Sequence, residues 1–170
     1  MLHLIIGGSG SGKSAYAEAQ IVEYGGPNRI YIATMYPFDD ESHERIRRHR
    51  QMRSQKQFST IERYVDLNSL VIPKGADVLL ECMSNLTANE MFQENGAHEK
   101  TVEQIVSGVR NLMKQAGNLV IVTNEIFSDG ILYDPETVRY QRCLGEINRE
   151  LAKMADRVTE VVYGIPVPVK

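Results

Sequence analysis

Short apolar runs alternate along this chain with longer segments whose apolar residues recur at helical spacing. Runs of about five or six mostly apolar residues are typical of strands that are buried on both sides. Such runs predict five strands, at 2–6, 29–34, 77–82, 119–123 and 158–163. The prolines after Gly164 predict a final edge segment, because proline cannot donate to a sheet ladder.

Helices are predicted between these strands. Residues 14 to about 24 are rich in alanine and glutamate, and a helix from residue 39 or 40 to about 55 has acidic residues in its first turn. Apolar residues recur at helical spacing over 102–113, and again over 138–154 after a cap at Asp134–Pro135. Strands alternating with helices predict an α/β fold with a mostly parallel sheet and helices on both faces.

Composition narrows the class of protein. The chain has 170 residues, 42% hydrophobic, with no internal repeat or linker, so a single domain over 1–170 is expected. No run of about 18 apolar residues spans a membrane, and the apolar N-terminal run is too short for a secretory signal. We therefore expect a cytoplasmic protein, with Cys82 and Cys143 as reduced core residues.

Charge is unevenly distributed. The formal net charge of −3 argues against general nucleic-acid binding. Six of the nineteen basic residues nevertheless lie between Arg45 and Lys56. This local excess favours a small polyanionic ligand.

A phosphate-binding motif follows the first predicted strand. The pattern G-x-x-x-x-G-K-[ST] is matched by Gly7, Gly8, Ser9, Gly10, Ser11, Gly12, Lys13 and Ser14. Backbone N–H groups of such a loop bind phosphate oxygens, the lysine reaches the β and γ phosphates, and the serine hydroxyl is the expected protein ligand of Mg²⁺. The alternative is a glycine-rich turn with a chance lysine. The motif predicts a nucleotide-binding P-loop NTPase domain. With the alternating strands and helices, we expect it to have a RecA-like three-layer architecture. The guanine-binding motif N-K-x-D is absent from the sequence, which favours a small kinase or nucleotidyltransferase over a signalling GTPase.

Carboxylates end two of the apolar strands. Glu81 closes DVLLE and Glu125 closes VTNE. Ligands of doubly wound sheets bind at the carboxyl ends of the strands, so Glu81 is a candidate Mg²⁺ ligand or orienter of a substrate hydroxyl. Its alternative is a solvent-facing strand-end glutamate, and Glu125 is the weaker candidate.

The basic helix carries a histidine. Arg45, His49 and Arg53 are spaced four residues apart and share one helical face. Neighbouring positive charge favours the neutral, nucleophilic imidazole, so one hypothesis is that His49 attacks phosphorus. The alternative is a solvated histidine on a polar helix.

Motifs spread along the whole chain point to one family. They are GGSGSGKS from residue 7, YIAT (31–34), DDE (39–41), RIRRHR (45–50), LLEC (79–82), TANE (87–90), VTNE (122–125) and AD (155–156). In these stretches the chain resembles the bifunctional adenosylcobinamide kinase / adenosylcobinamide-phosphate guanylyltransferase family of cobalamin biosynthesis. The resemblance implies phosphorylation of adenosylcobinamide by ATP or GTP, and then transfer of GMP from GTP to the resulting phosphate through a guanylylated histidine that matches His49.

The resemblance also implies site residues and an assembly state. It implies nucleotide contacts at the phosphate loop, Thr34, Arg50, Arg53 and Glu62, with His49 as a catalytic residue. From the motif and the strand ends we add Lys13 and Glu81 as catalytic residues, Glu81 as a further nucleotide contact, and Ser14 and Glu81 as the ligands of Mg²⁺. A carboxylate suits guanine, because its oxygens accept from N1–H and the exocyclic amine; the alternative for Glu62 is an ordinary surface residue. A homotrimer with a corrinoid substrate is expected.

Two other functions remain open at this stage. One is a different small-molecule kinase, in which His49 only binds phosphate and no covalent nucleotide forms. The other is a non-catalytic, nucleotide-dependent module whose slow turnover does not respond to cobinamide.

Overall fold

The computed structural model describes residues 1–38, 40–53 and 56–170; in the helix at 40–53 it describes no side chain at positions 41, 42, 45, 48, 49, 52 and 53. The strands of the described residues are β1 (Leu2–Gly7), β2 (Arg29–Ala33), β3 (Phe58–Glu62), β4 (Asp77–Glu81), β5 (Asn118–Asn124), β6 (Arg157–Val162) and β7 (Ile165–Pro168). The α-helices are α1 (Lys13–Tyr24), α2 (Asp40–Arg53), α3 (Met83–Phe92), α4 (Thr101–Gln115) and α5 (Pro135–Met154).

All seven of these strands form one sheet in the order β3-β2-β4-β5-β1-β6-β7. The first six pair in parallel, and β7 pairs antiparallel to β6 at the edge. The predicted mostly parallel sheet is therefore confirmed, and the proline-containing segment is the edge strand that was expected.

Both faces of the sheet are covered by helices. Adjacent strand residues such as Leu4 and Ile5 belong to different cores, because successive side chains point to opposite faces. Helix α1 covers the Ile5 face, whereas α3, α4 and α5 contribute to the Leu4 face. Each large apolar side chain buried in these cores stabilises the fold by about 1.5–3 kcal/mol.

Two elements were missed by the sequence analysis. Strand β3, FSTIE, has no fully buried residue, so it lacks the apolar run that marks the inner strands. Helix α3 buries polar as well as apolar residues, among them Thr87, Asn89 and Glu90, and this mixture removes the amphipathic pattern.

Two further expectations concerned the state of the cysteines and the presence of a membrane-spanning helix. Cys82 and Cys143 are both free thiols, as predicted, but each is only partly buried at the margin of a core. Burial raises the pKa of the Cys143 thiol to about 11. No helix within the described ranges is long and apolar enough to cross a membrane.

Candidate functional site: a nucleotide cleft

The phosphate loop leads from the end of β1 into α1. Gly10 and Gly12 have φ values of 71° and 89°, a left-handed conformation that glycine adopts without strain, and Gly12 is the N-cap of α1. A Cβ atom at Gly7 would lie 2.5 Å from Ser11 Oγ and 2.7 Å from the carbonyl oxygen of Val161. The tight turn therefore depends on glycine at these positions.

Neighbouring strands hold this loop in place. The Gly164 N–H, in the turn between β6 and β7, donates to the Ser11 carbonyl at 2.8 Å. On the other side, the Glu125 N–H donates to the Gly7 carbonyl at 3.1 Å. Both hydrogen bonds use carbonyl groups of the loop as acceptors, so they hold the loop in place without using its N–H groups.

Lys13 lies within the loop. Its Nζ donates to the Gly8 carbonyl at 2.9 Å, and only 8% of the residue is exposed. Burial lowers the pKa of Lys13, while the nearby Cys82 and Glu81 act in the opposite direction. The hydrogen bond to Gly8 holds the ammonium group beside the loop, where the motif requires a positive charge to bind phosphate oxygens.

Glu81 faces the phosphate loop rather than solvent. The Ser14 hydroxyl donates to its Oε1, and the Tyr31 hydroxyl donates to its Oε2 at 3.2 Å. The order β4-β5-β1 explains this contact, because all three strands end at the same edge of the sheet. Hydroxyl and carboxylate oxygens are hard ligands that suit Mg²⁺, which typically takes one or two protein ligands and completes its shell with water and phosphate.

A cavity of about 490 Å³ opens above the loop. Its walls include residues 9–15 and, from the ends of three neighbouring strands and their following segments, Met35, Glu81, Cys82, Asn85, Val122 and Asn124. A narrower cavity of about 70 Å³ lies beside it and is lined by Arg50 and Glu62 among others. The two cavities share one wall, made of Met35, Glu81, Cys82 and Asn85.

The narrower cavity joins α2 to β3. Arg50 of α2 forms an ion pair with Glu62, the last residue of β3, and the Tyr64 hydroxyl donates to Glu62 Oε2 at 3.0 Å. Burial, followed by this hydrogen bond, raises the pKa of Tyr64. The side chain of Glu62 is 46% exposed, so it reaches both the cavity and solvent.

Two other predicted positions have local partners. Thr34 is fully buried; its hydroxyl donates to the Cys82 carbonyl at 2.8 Å and accepts from the Cys82 N–H at 2.7 Å. A nucleotide contact at Thr34 stays a prediction, and this hydroxyl already ties the end of β2 to β4. Glu125 accepts from the Phe127 N–H and the Ser128 hydroxyl and so stabilises a turn.

The predicted nucleophile lies on α2. The side chains of Arg45, His49 and Arg53 are outside the described residues, and their roles stay predictions. The backbone places His49 in the same helix as Arg50 and directly before it, and the Arg50 side chain lines the narrower cavity.

A polar cluster around Ser84 was missed by sequence reasoning, and two of its members, Cys82 and Asn124, line the larger cavity. Ser84 Oγ accepts from Asn124 Nδ2 at 2.5 Å and lies 3.0 Å from Cys82 Sγ. The Tyr140 hydroxyl donates to the Ser84 carbonyl at 3.2 Å, and burial raises the pKa of Tyr140 to about 12. The rule that strand ends carry ligands would have found Asn124, but no sequence pattern marks Ser84 or Tyr140.

Comparison with known proteins agrees with this geometry. A family model described as "Cobinamide kinase / cobinamide phosphate guanyltransferase" matches residues 3–169. The chain belongs to this family. The family predicted from the motifs is therefore confirmed, and so is the prediction that the chain is an enzyme of this family.

Curated relatives match over essentially their full length. The chain is 35% identical to "Bifunctional adenosylcobalamin biosynthesis protein CobU" of Escherichia coli and 33% identical to the protein of the same name from Salmonella typhimurium, each over 100% of both chains. It is 28% identical to "Bifunctional adenosylcobalamin biosynthesis protein CobP" of Pseudomonas aeruginosa, over 100% of this chain and 98% of the relative.

A solved structure supports the architecture. The structure is that of an ATPase domain, and it matches 94% of this chain and 68% of its own, with a TM-score of 0.50 and 11% sequence identity. At this identity the likeness shows the fold alone. The predicted P-loop NTPase architecture of the RecA-like type is confirmed.

Proposed function

We propose that this protein phosphorylates adenosylcobinamide with ATP or GTP and then transfers GMP from GTP to adenosylcobinamide-phosphate through a guanylylated His49. The products are adenosylcobinamide-GDP and pyrophosphate. The observation that carries the proposal is the wall shared by the two cavities, because it brings the phosphate loop and the helix of His49 to one cleft. The proposal includes a cytoplasmic homotrimer that does not bind nucleic acid.

The first step needs charge stabilisation and a proton acceptor. The loop N–H groups and Lys13 hold the triphosphate, and the acceptor hydroxyl attacks the γ-phosphorus as the bond to the β-phosphate oxygen breaks. Glu81 accepts the proton of the attacking hydroxyl, because its carboxylate faces the loop. Ser14 and Glu81 would hold Mg²⁺, which supplies neutralisation of phosphate charge.

The second step needs a nucleophile at the α-phosphorus. A neutral nitrogen of His49 bonds to that phosphorus while its bond to the β-phosphate oxygen breaks, and pyrophosphate leaves. A phosphate oxygen of adenosylcobinamide-phosphate then bonds to the same phosphorus and breaks the N–P bond. Arg50 and Arg53 neutralise the phosphates, and Glu62 accepts from guanine N1–H and its amine, since each carboxylate oxygen has more than one acceptor position.

The decisive experiment is a labelling test. The protein is incubated with Mg²⁺ and GTP labelled at the α-phosphate, denatured, and examined for label that survives alkali but not acid. His49→Ala is compared with His43→Ala, a matched control because both histidines lie on α2 and the side chain of His43 is exposed. GTP labelled at the γ-phosphate is the second control.

We expect acid-labile α-label in the wild type and in His43→Ala, and none in His49→Ala or with γ-label. A wild-type protein that binds GTP and phosphorylates adenosylcobinamide but retains no label would contradict the covalent step. The simple kinase, in which His49 only contacts phosphate, would then be the better description.

A further inference from the structure

One face of α3 leads from the nucleotide cleft into a separate groove. Asn85 lines both nucleotide cavities, and Ala88, Asn89 and Phe92 follow it at spacings of three and four residues, on the same helical face. Those three residues line a groove of about 530 Å³. The groove therefore begins one helical turn from the wall shared by the two cavities.

Aromatic rings line this groove both from α3 and from the segment that follows β2. Phe38 and Phe92 are 73% and 50% exposed, unusual for such large apolar side chains. The Tyr36 ring lies 4.7 Å from that of Phe38 and 5.1 Å from that of Tyr64, measured between centroids. Because Tyr64 lines the cavity of Arg50 and Glu62, the ring contact places the groove directly beside the nucleotide cleft.

Polar groups edge the same groove. Gln93, Glu94 and Asn95 line it at the C-terminal end of α3. The Nε2 atom of Gln93 is shielded from solvent and has no acceptor among the described residues. A buried donor without a partner is costly, so an amide carbonyl from a ligand would stabilise it.

We propose that this groove binds the corrin ring of adenosylcobinamide; this inference rests on the function proposed above. A corrin presents broad apolar faces to aromatic side chains, and its rim carries amide arms that match Gln93 and Asn95. The reacting hydroxyl is at the end of one extended arm. Asn85 and Phe92 are seven residues apart, which is about 10 Å along the helix. The extended arm spans this distance. The corrin ring therefore rests on the aromatic groove, while the arm reaches past Asn85 to the phosphate loop.

Substitution of the exposed rings tests this assignment. Phe38→Ser and Phe92→Ser are compared with Phe38→Tyr and Phe92→Tyr, which keep a ring, and with Val71→Ala, an exposed apolar residue (82%) that does not line the groove. Binding of adenosylcobinamide is measured by equilibrium dialysis, using the visible absorbance of the corrin. KM values for adenosylcobinamide and GTP are measured in parallel.

Each serine variant is expected to raise the dissociation constant and the KM for adenosylcobinamide about tenfold, the loss typical of one stacking aromatic ring. GTP binding should stay within twofold, and it also reports correct folding. The tyrosine variants keep a ring and should bind adenosylcobinamide more tightly than the serine variants, and Val71→Ala should match the wild type. Dissociation constants within twofold of wild type in both serine variants would overturn the groove assignment, with phosphorylation still observed.

Failure of the proposed function gives a different result. In that case the wild-type protein binds GTP but neither binds nor phosphorylates adenosylcobinamide, and both proposals are overturned together.

Discussion

At the scale of single residues, Glu81 links several parts of the cleft. It accepts from Ser14 and from Tyr31, and it belongs to the wall between the two cavities. Motif and topology were enough to predict that Lys13, Ser14 and Glu81 lie together, because each occupies a position that a parallel sheet brings to one edge. The Arg50–Glu62 ion pair could not be predicted in this way, because it depends on β3, whose polar sequence does not indicate a strand.

Replacing Glu81 tests its role as proton acceptor. Glu81→Gln keeps the size of the side chain and a hydrogen bond to Ser14 but removes the basic carboxylate. We expect kcat for phosphorylation of adenosylcobinamide to fall by about 10²-fold or more, with GTP binding within a few-fold of wild type. Tyr31→Phe, which removes only the hydroxyl bound to Glu81, should lower kcat far less. Equal rates for Glu81→Gln and wild type would exclude Glu81 as the base.

A buried histidine predicts a dependence of stability on pH. His3 is fully buried, its Nε2 is 2.8 Å from Thr159 Oγ1, and burial, then the charge of Arg157, lower its pKa to about 4. Between pH 6.5 and 4 the unfolded chain binds a proton at His3 that the folded chain does not, so this residue makes stability fall as the pH falls through that window.

The size of this effect follows from the pKa difference. Lowering the pH from 7 to 5 should reduce the free energy of unfolding of wild type by about 2 kcal/mol more than that of His3→Gln. Urea denaturation at the two pH values measures this difference. The same pH dependence in both proteins would mean that His3 does not contribute.

At the scale of elements, α3 shows what pattern reading misses. Its buried Glu90 accepts from the Asp66 N–H at 2.6 Å and from the Ala97 N–H at 2.8 Å. One side chain thus ties the segment before β4 to the segment after α3. The hydrophobic pattern does not predict a buried carboxylate, because it assigns only apolar residues to the core. Glu90 does belong to the stretch TANE, which contributed to the family resemblance.

Removing this carboxylate is expected to destabilise the fold. Glu90→Ala leaves two backbone donors without their acceptor, at a cost of about 1–3 kcal/mol for each. Glu90→Gln retains one acceptor oxygen and should lose roughly half as much. Chemical denaturation measures both variants. A free energy of unfolding for Glu90→Ala within about 0.5 kcal/mol of wild type, as is usual for an ordinary surface substitution, would show that this bridge is unimportant.

At the scale of the molecule, strand order creates the site. The ends of β1, β5 and β4 lie side by side, and from them come the phosphate loop, Asn124 and Glu81. Alternation of strands and helices was enough to predict the layers. The order of the strands was not predictable from local pattern, because it depends on pairing between residues far apart in the sequence.

The trimer implied by the family resemblance is still a prediction. Several large apolar side chains are strongly exposed in the isolated chain, including Leu132 at 99% and Tyr163 at 94%. Association that covers such surface is favourable, because apolar area leaves water. We expect light scattering coupled to gel filtration to give three times the mass of one 19.2 kDa chain at micromolar concentration. A monomer under those conditions would contradict the expectation.

The wall shared by the two cavities has a genetic consequence. Met35, Glu81, Cys82 and Asn85 border both spaces, whereas Arg50 and Glu62 line only the narrower one. Alleles altered in the wall should therefore be pleiotropic and lose both transfers together. Alleles that separate the two activities should map instead to residues that line one cavity alone. In evolution, one activity can therefore be lost without the other only through changes outside the shared wall.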